Sequence, residues 1–289
     1  MPPTFSETIP LASVGRVGLL SFDYETRDGR TVLSRSRSTS PWHHFPPIDL
    51  DGTGCAYTLL MNPSGGLVGG DQLAIRAQLG ERAHVLMSTP SANRVYRSLA
   101  EPAVHTVDLS LGPGAVLEWV PDVTIPFAGA RFRQSIQATL APGATIVLWD
   151  ATAAGRIARG ERWQFASFEN EIRITTASSA SVAERFQLTP QAGPEPVGLA
   201  SEWNYVASLF IIGDAIDAER LKRLEESLAE ILSRRSGQIL GGVSAPAAPG
   251  LAVKLVARSA SGMSNTWEVL WAAIRRHLWN LPAVALRRY

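Results

Sequence analysis

Much of the chain reads as short alternating or apolar runs, the mark of half-buried and buried strands. Val14 to Tyr24 and Arg30 to Arg35 are β-branched or alternating segments, and Asp28-Gly29 between them is a hairpin signal. Thr39 to Asp51, with three prolines and the adjacent His43 and His44, interrupts the pattern and reads as an exposed loop. A weak internal repeat follows. Leu111-Gly-Pro-Gly-Ala115 and Leu140-Ala-Pro-Gly-Ala144 each lead into an apolar strand carrying a tryptophan, Trp119 or Trp149, and Leu79-Gly-Glu-Arg-Ala83 is a degenerate earlier copy. Turn, strand and return recur every 29 to 32 residues, which fits stacked β layers and fits a plain meander equally well.

In the last third the period changes from two to that of a helix. Asp217 is placed to N-cap a segment with Leu221, Leu224, Leu228, Ile231 and Leu232 on one stripe, and Ser236-Gly237 stops it. Asn265-Thr-Trp-Glu268 is close to a capping box, and the helix it opens aligns Trp267, Leu270, Trp271, Ile274 and Leu278 before Pro282. The expected fold is mainly β: a layered, solenoid-like sheet body with two α-helices in the C-terminal third, near residues 217–234 and 265–280.

Composition narrows the function classes. The 289 residues can bury a large core, in one large domain or two small ones. A formal charge of +1 with 18% charged residues gives no broad field toward nucleic acid or an anionic membrane. Lys222 and Lys254 are the only lysines among 27 basic residues, a bias that assigns no function. Cys55 is the single cysteine, so an internal disulfide or a Cys-rich zinc site is excluded. Met1 to Pro10 lacks the basic and apolar regions of a signal peptide, and apolar runs such as Val206 to Ile212 are too short to span a bilayer. A cytoplasmic, soluble protein with no nucleic-acid or membrane partner is the expectation.

The densest local signal is Asn62-Pro-Ser-Gly-Gly-Leu-Val-Gly-Gly-Asp71, with four glycines in six residues ending on a carboxylate. It is neither a dinucleotide fingerprint nor a P-loop: Gly65 lacks a glycine two positions on, and Gly70 precedes Asp71 and Gln72. A terminal carboxylate would repel a phosphate and suits a cation. No nucleophile elbow or H-E-x-x-H motif is present. Of the histidines (His43, His44, His84, His105 and His277) only the first two are close in sequence, and adjacent strand residues point to opposite faces. Acids stand out more. Asp71 ends the glycine loop, Asp150 follows Trp149, Glu184 follows the β-rich run Ile172 to Val182, Glu118 lies inside the apolar run Val116 to Val120, and Glu161 sits in Gly-Glu-Arg. Such acids need a partner or a wet cavity. Pairing with Arg97, Arg156, Arg159, Arg162 or Arg185 would reduce them to ties between layers.

The glycine loop resembles the N/H-P-P/S-G-G-hydrophobic-V-G-G-D signature of the urease accessory proteins called UreD or UreH. Ser91-Ala-Asn-Arg-Val-Tyr-Arg-Ser98 resembles that family's A-x-K-hydrophobic-Y-R-S segment, with Arg94 for lysine. Leu117-Glu-Trp-Val-Pro121, Ile125-Pro-Phe-Ala-Gly-Ala130, Leu148-Trp-Asp150, Gly155-Arg156, Gly160-Glu161 and Glu184-Arg185 follow in the family's order, and the match runs from about residue 19 onward. The resemblance implies a single β-helical domain over 1–289 with two helices. It also implies a non-enzymatic urease maturation factor that joins the urease apoprotein subunits to UreF and, through UreF, to the GTPase UreG. Asp71, Asp150 and Glu184 match acidic family positions associated with a water-filled channel for Ni²⁺ in transit, with no tightly bound cofactor. Carboxylates and water hold a borderline divalent metal less firmly than thiolate and imidazole do, as a conduit requires. Arg94, Tyr96 and Arg97 suit a partner surface as well as they suit a strand face. Val123 stands where an acid is common, so one channel carboxylate is missing. The rival expectation is a β-solenoid carbohydrate-active enzyme with two carboxylates about 5–10 Å apart across an open cleft.

Overall fold

The computed structural model describes residues 16–190, 202–282 and 286. Strands β1 (Val17–Arg27) and β2 (Arg30–Ser38) form the expected antiparallel hairpin, with Asp28 and Gly29 both at positive φ in the tight turn. Val14, at the expected start, lies outside the described residues. Most of 39–51 is loop, but His43 and His44 form a two-residue strand, β3 (His43–His44), against β4 (Ala56–Met61).

The repeat is a coil and not a meander. One turn of chain contains β5 (Gln72–Leu79), β6 (His84–Ser88) and β7 (Asn93–Val95); the next contains β8 (Ala103–Leu111), β9 (Val116–Trp119) and β10 (Thr124–Pro126). A third begins with β11 (Arg131–Leu140) and β12 (Thr145–Ala153). Equivalent strands of successive turns are parallel neighbours: β5 with β8, β8 with β11, β6 with β9, β9 with β12, and β7 with β10. The three turn copies stack in register, Leu79 beside Leu111 and Leu111 beside Leu140. The Gly112 N–H donates to the Leu79 carbonyl at 2.7 Å, and the Ala141 N–H to the Leu111 carbonyl at 2.9 Å. Stacking settles the choice because a meander would make these pairs antiparallel.

Antiparallel strands close the stack. β13 (Ser167–Thr175) adds parallel to β11, and β14 (Ser181–Leu188) then pairs antiparallel with β13. The other sheet continues from β12 to β15 (Tyr205–Gly213), β17 (Gly250–Ala257) and β16 (Ile239–Ser244). The first sheet runs β14-β13-β11-β8-β5-β1-β2 and the second β16-β17-β15-β12-β9-β6-β4-β3, with β7 and β10 beside it. Helices α1 (Ala218–Ser233) and α2 (Ala260–Trp279) cover the outer face of the second sheet.

Burial follows this layering. Leu20, Phe22, Ile75, Leu109, Ile136 and Leu148 fill the space between the sheets, while Trp149, Leu209, Val253, Trp267 and Trp271 fill the space between sheet and helices. β11 alternates inward and outward, as expected of a strand with one face in solvent. β12 is buried at every position because it has a core on each face, which explains the unbroken run Thr145 to Ala153. Asp217 caps α1 as expected, its carboxylate accepting from the Arg220 N–H at 2.7 Å. The start of α2 differs from the expected 265. Ser259, not Asn265, is the N-cap, and its hydroxyl accepts from the Gly262 N–H at 3.0 Å. Ser259, six residues upstream of Asn265, takes up a free N–H of the first turn, so Asn265 lies inside a helix already begun.

Candidate functional site: a polar seam between the two sheets

Inward-facing positions of β8, β11 and β13 are apolar except at one level. There His105, Gln134 and Asn170 sit side by side in register. Opposite them, the second sheet places Asp150, Ser208 and Lys254 in register across β12, β15 and β17. The two rows meet through hydrogen bonds. The Gln134 side-chain N–H₂ donates to Asp150 Oδ1 and to Asn170 Oδ1, both at 3.0 Å, and Asn170 Nδ2 donates to Asp150 Oδ2 at 2.9 Å. His105 Nδ1 lies 3.1 Å from Gln134 Oε1.

Asp150 is 7% exposed. Burial pushes its carboxyl pKa above the ordinary range, opposed by the two amide donors and by the charge of Lys254. No arginine neutralises it through any of these contacts. His105 is buried, and burial lowers its pKa, opposed by its contact with Gln134.

Asp150, Gln134 and His105 line a cavity of about 160 Å³, walled elsewhere by Trp42, Trp119, Gly65, Gly66 and the segment Thr89 to Arg94. The glycine loop is therefore part of the cavity wall. Gly66 has to be glycine: its φ is +156°, and a Cβ would lie 2.5 Å from the Arg94 carbonyl oxygen and 2.7 Å from the Tyr96 ring. Three buried polar atoms of the lining residues, Trp42 Nε1, Trp119 Nε1 and His105 Nε2, have no partner among the described residues. A space edged by such groups and a carboxylate is suited to water.

Of the three acids singled out in sequence, Asp150 lines the cavity and Glu184 adjoins the same seam. Glu184, on β14, accepts from the Ser208 hydroxyl at 2.7 Å and forms an ion pair with Lys254. Lys254 also donates to Ser208 at 2.8 Å, and its ammonium lies 4.7 Å from the Phe210 ring centre. Burial lowers the Lys254 pKa to about 8, against the opposing pull of Asp150. Asp71 is not among the lining residues. Its carboxylate accepts from the Val68 N–H at 2.8 Å and ties off the glycine loop beside the wall residue Leu67. Burial raises its pKa, while that hydrogen bond and the charge of Arg16 lower it.

The remaining acids are paired. Glu161 binds Arg156 and accepts from the Ala128 N–H at 3.2 Å. Glu118, fully buried, accepts from Trp271 Nε1 at 2.6 Å, contacts His84 Nε2 at 2.8 Å, and lies 3.5 Å from Arg275, which also holds Asp51 at 2.6 Å. Although no histidine is close to Cys55 in sequence, the ligand atoms of Cys55, His84 and Glu118 fall within 4.8 Å of one another. Burial, and then the charge of Glu118, pushes the Cys55 thiol far up, so no thiolate is ready there; the cluster fastens α2 to the second sheet. His43 and His44 belong to β3 and to no cluster of ligands found among the described residues.

Sequence reading alone does not single out Gln134, Asn170 or Ser208. Each is one polar residue in an apolar alternation, and the available signal is that three such interruptions, at 105, 134 and 170, fall at corresponding positions of stacked strands. Arg94 and Arg97 are exposed, and Tyr96 packs edge-on against Phe127 at 5.0 Å, leaving both the surface and the strand-face reading in place.

The family model described as "UreD urease accessory protein" matches residues 16–288. A urease accessory protein UreD of Albidiferax ferrireducens is 31% identical over 268 residues, covering 93% of this chain and 96% of that protein. One from Acaryochloris marina is 36% identical over 202 residues, covering 69% and 71%. UreD 2 of Streptomyces griseus is 31% identical over 290 residues, covering 98% and 97%. The chain belongs to the UreD family of urease accessory proteins.

Proposed function

We propose that this protein acts in urease maturation as a non-enzymatic scaffold whose inter-sheet seam passes Ni²⁺ toward the apoenzyme. The partners are apo-urease and UreF, with UreG recruited through UreF, as family membership suggests. Asp150 is the observation that carries the reading. Its carboxylate faces a small cavity with amide donors on its oxygens, so it keeps much of its attraction for a cation. Glu184 and Lys254 extend the polar line toward the sheet edge, while Asp71 shapes the loop that forms the wall. In this reading Lys254 competes with the metal for both seam carboxylates, which keeps the sites weak enough to release their ion. A cavity of about 160 Å³ is also small for an organic substrate, since ligand pockets usually run to roughly 300–1,000 Å³. It favours an ion with a few waters over a carbohydrate.

The test is an Asp71→Ala, Asp150→Ala, Glu184→Ala triple variant, co-purified through a tag on this chain with apo-urease and UreF. The complex should persist while urease nickel content and activity fall several-fold at limiting nickel. Full activation by the folded variant would exclude a required passage role for these acids. Failure of the wild-type chain to retain either partner would exclude the scaffold.

A further inference from the structure

We propose that His105 Nε2 is a ligand for a borderline divalent cation inside the cavity that Asp150 also lines. The inference deepens the nickel-passage reading and rests on it. Its basis is the donor and acceptor order of the hydrogen bonds around Gln134. Both hydrogens of the Gln134 amide nitrogen are used, one toward Asp150 Oδ1 and one toward Asn170 Oδ1. Both Asp150 oxygens accept, Oδ1 from Gln134 and Oδ2 from Asn170 Nδ2, which holds the Gln134 amide in this orientation. Gln134 Oε1 must then face His105, and a carbonyl oxygen can only accept, so the imidazole hydrogen is on Nδ1.

In a neutral imidazole the other nitrogen is then an unprotonated lone pair. That atom, Nε2, is buried, has no partner among the described residues and belongs to a residue lining the cavity. A lone pair on one ring nitrogen, with the opposite N–H fixed by an acceptor, is how metal-binding histidines are prepared. Asp150 sets the amide and the amide sets the tautomer, so the seam carboxylate and the imidazole lone pair are linked through a single side chain. Trp42 tilts over the imidazole at 6.0 Å between ring centres and restricts its movement. One imidazole in a cavity that a carboxylate also lines, with water completing the shell, suits Ni²⁺, Co²⁺ or Zn²⁺ held reversibly, whereas Mg²⁺ or Ca²⁺ would favour oxygen alone.

The test uses the full chain with ¹⁵N-labelled histidine. Without metal, His105 should show the two-bond pattern of the Nδ1–H tautomer. Added Zn²⁺ should shift its Nε2 resonance by tens of parts per million and leave Mg²⁺-treated protein unchanged. In parallel, His105→Gln, whose amide can still donate to Gln134, should weaken one Ni²⁺ site at least tenfold in equilibrium dialysis with unchanged thermal unfolding. An Nε2–H tautomer, or an Nε2 resonance unmoved by Zn²⁺, would overturn the proposal whatever the variant does. If Asp150→Ala impairs nickel delivery while His105 shows no metal response, the passage reading stands and this assignment alone fails. If neither residue affects binding or delivery, both fail.

Discussion

At Gly66 the absence of a side chain decides whether the loop can close over the cavity. A methyl group there would press on the Arg94 carbonyl, which already accepts the Leu67 N–H at 2.8 Å, and on the Tyr96 ring, whose hydroxyl donates to the Gly65 carbonyl at 3.3 Å. Backbone cannot move aside as cheaply as the end of a flexible side chain. Gly66→Ala should therefore destabilise the fold by about 1–3 kcal/mol, read as a lower denaturant midpoint at unchanged m-value. A shift below about 0.5 kcal/mol would show that the loop relaxes freely. Density of glycine alone indicates that something approaches closely, and the notable spelling of the loop marks it as special. What approaches is visible only when Arg94 and Tyr96, some 30 residues later, fold back against it. The same holds for His105. Its chemical type is plain in the chain, but its tautomer depends on Gln134 and Asp150 from two other strands.

Among the elements, α2 shows how an apolar pattern is complemented by a buried charge. Trp267, Leu270, Trp271, Ile274 and Leu278 do form the buried face that their spacing predicts. Arg275 is buried on the same helix, and it holds Asp51 at 2.6 Å and Glu118 at 3.5 Å. Removing one member of such a group leaves uncompensated buried charge. Arg275→Met should cost about 3–5 kcal/mol in chemical denaturation. Adding Glu118→Gln should recover part of that loss, because fewer unpaired charges remain. Additive losses in the double variant would mean that the two side chains are not energetically coupled. Ser259 carries a related lesson. The Asn265–Glu268 pattern is a genuine N-terminal signature, yet a hydroxyl upstream caps first, so helix existence was legible and its boundary was not.

On the scale of the whole molecule, the seam is a line of polar groups between two sheets, and its electrostatics predict a pH dependence. Asp150 has a folded-state pKa raised by burial, so its folded carboxyl holds a proton at pH values where the unfolded one has released it. Its contribution to stability is therefore complete below the unfolded pKa and is lost as pH rises through the folded pKa. Asp150→Asn removes that titration. The stability of the variant relative to wild type should thus improve as pH rises from about 3.8 through the raised pKa, read as the difference between paired denaturation curves at pH 4 and pH 7. Lys254, with its pKa near 8, stays charged across this window, and His105, whose pKa burial lowers, is common to both proteins and cancels in the difference. A difference constant with pH would mean that burial does not oppose the Asp150 charge.

Alternation, turn chemistry and helical stripes are local, and they were sufficient for the β-rich body, the hairpin at Asp28-Gly29, the three recurring turns and both helices. The family motifs, from Asn62 to Arg185, likewise carried the kinship. Sequence could not choose coil over meander, because both have the same period; the in-register stacking of Leu79, Leu111 and Leu140 made that choice. Nor could it sort the acids. An Asp or Glu in an apolar run looks the same whether its partner is the guanidinium of Arg275, the ammonium of Lys254 or the amides of Gln134 and Asn170. Those partners come from other strands and from a helix, and charge, burial and cavity are set by what lies across a sheet or a core. Only the folding of separate strands and helices against each other leaves Asp150 facing a cavity, gives Glu184 a cation and makes Asp71 the clasp of a loop.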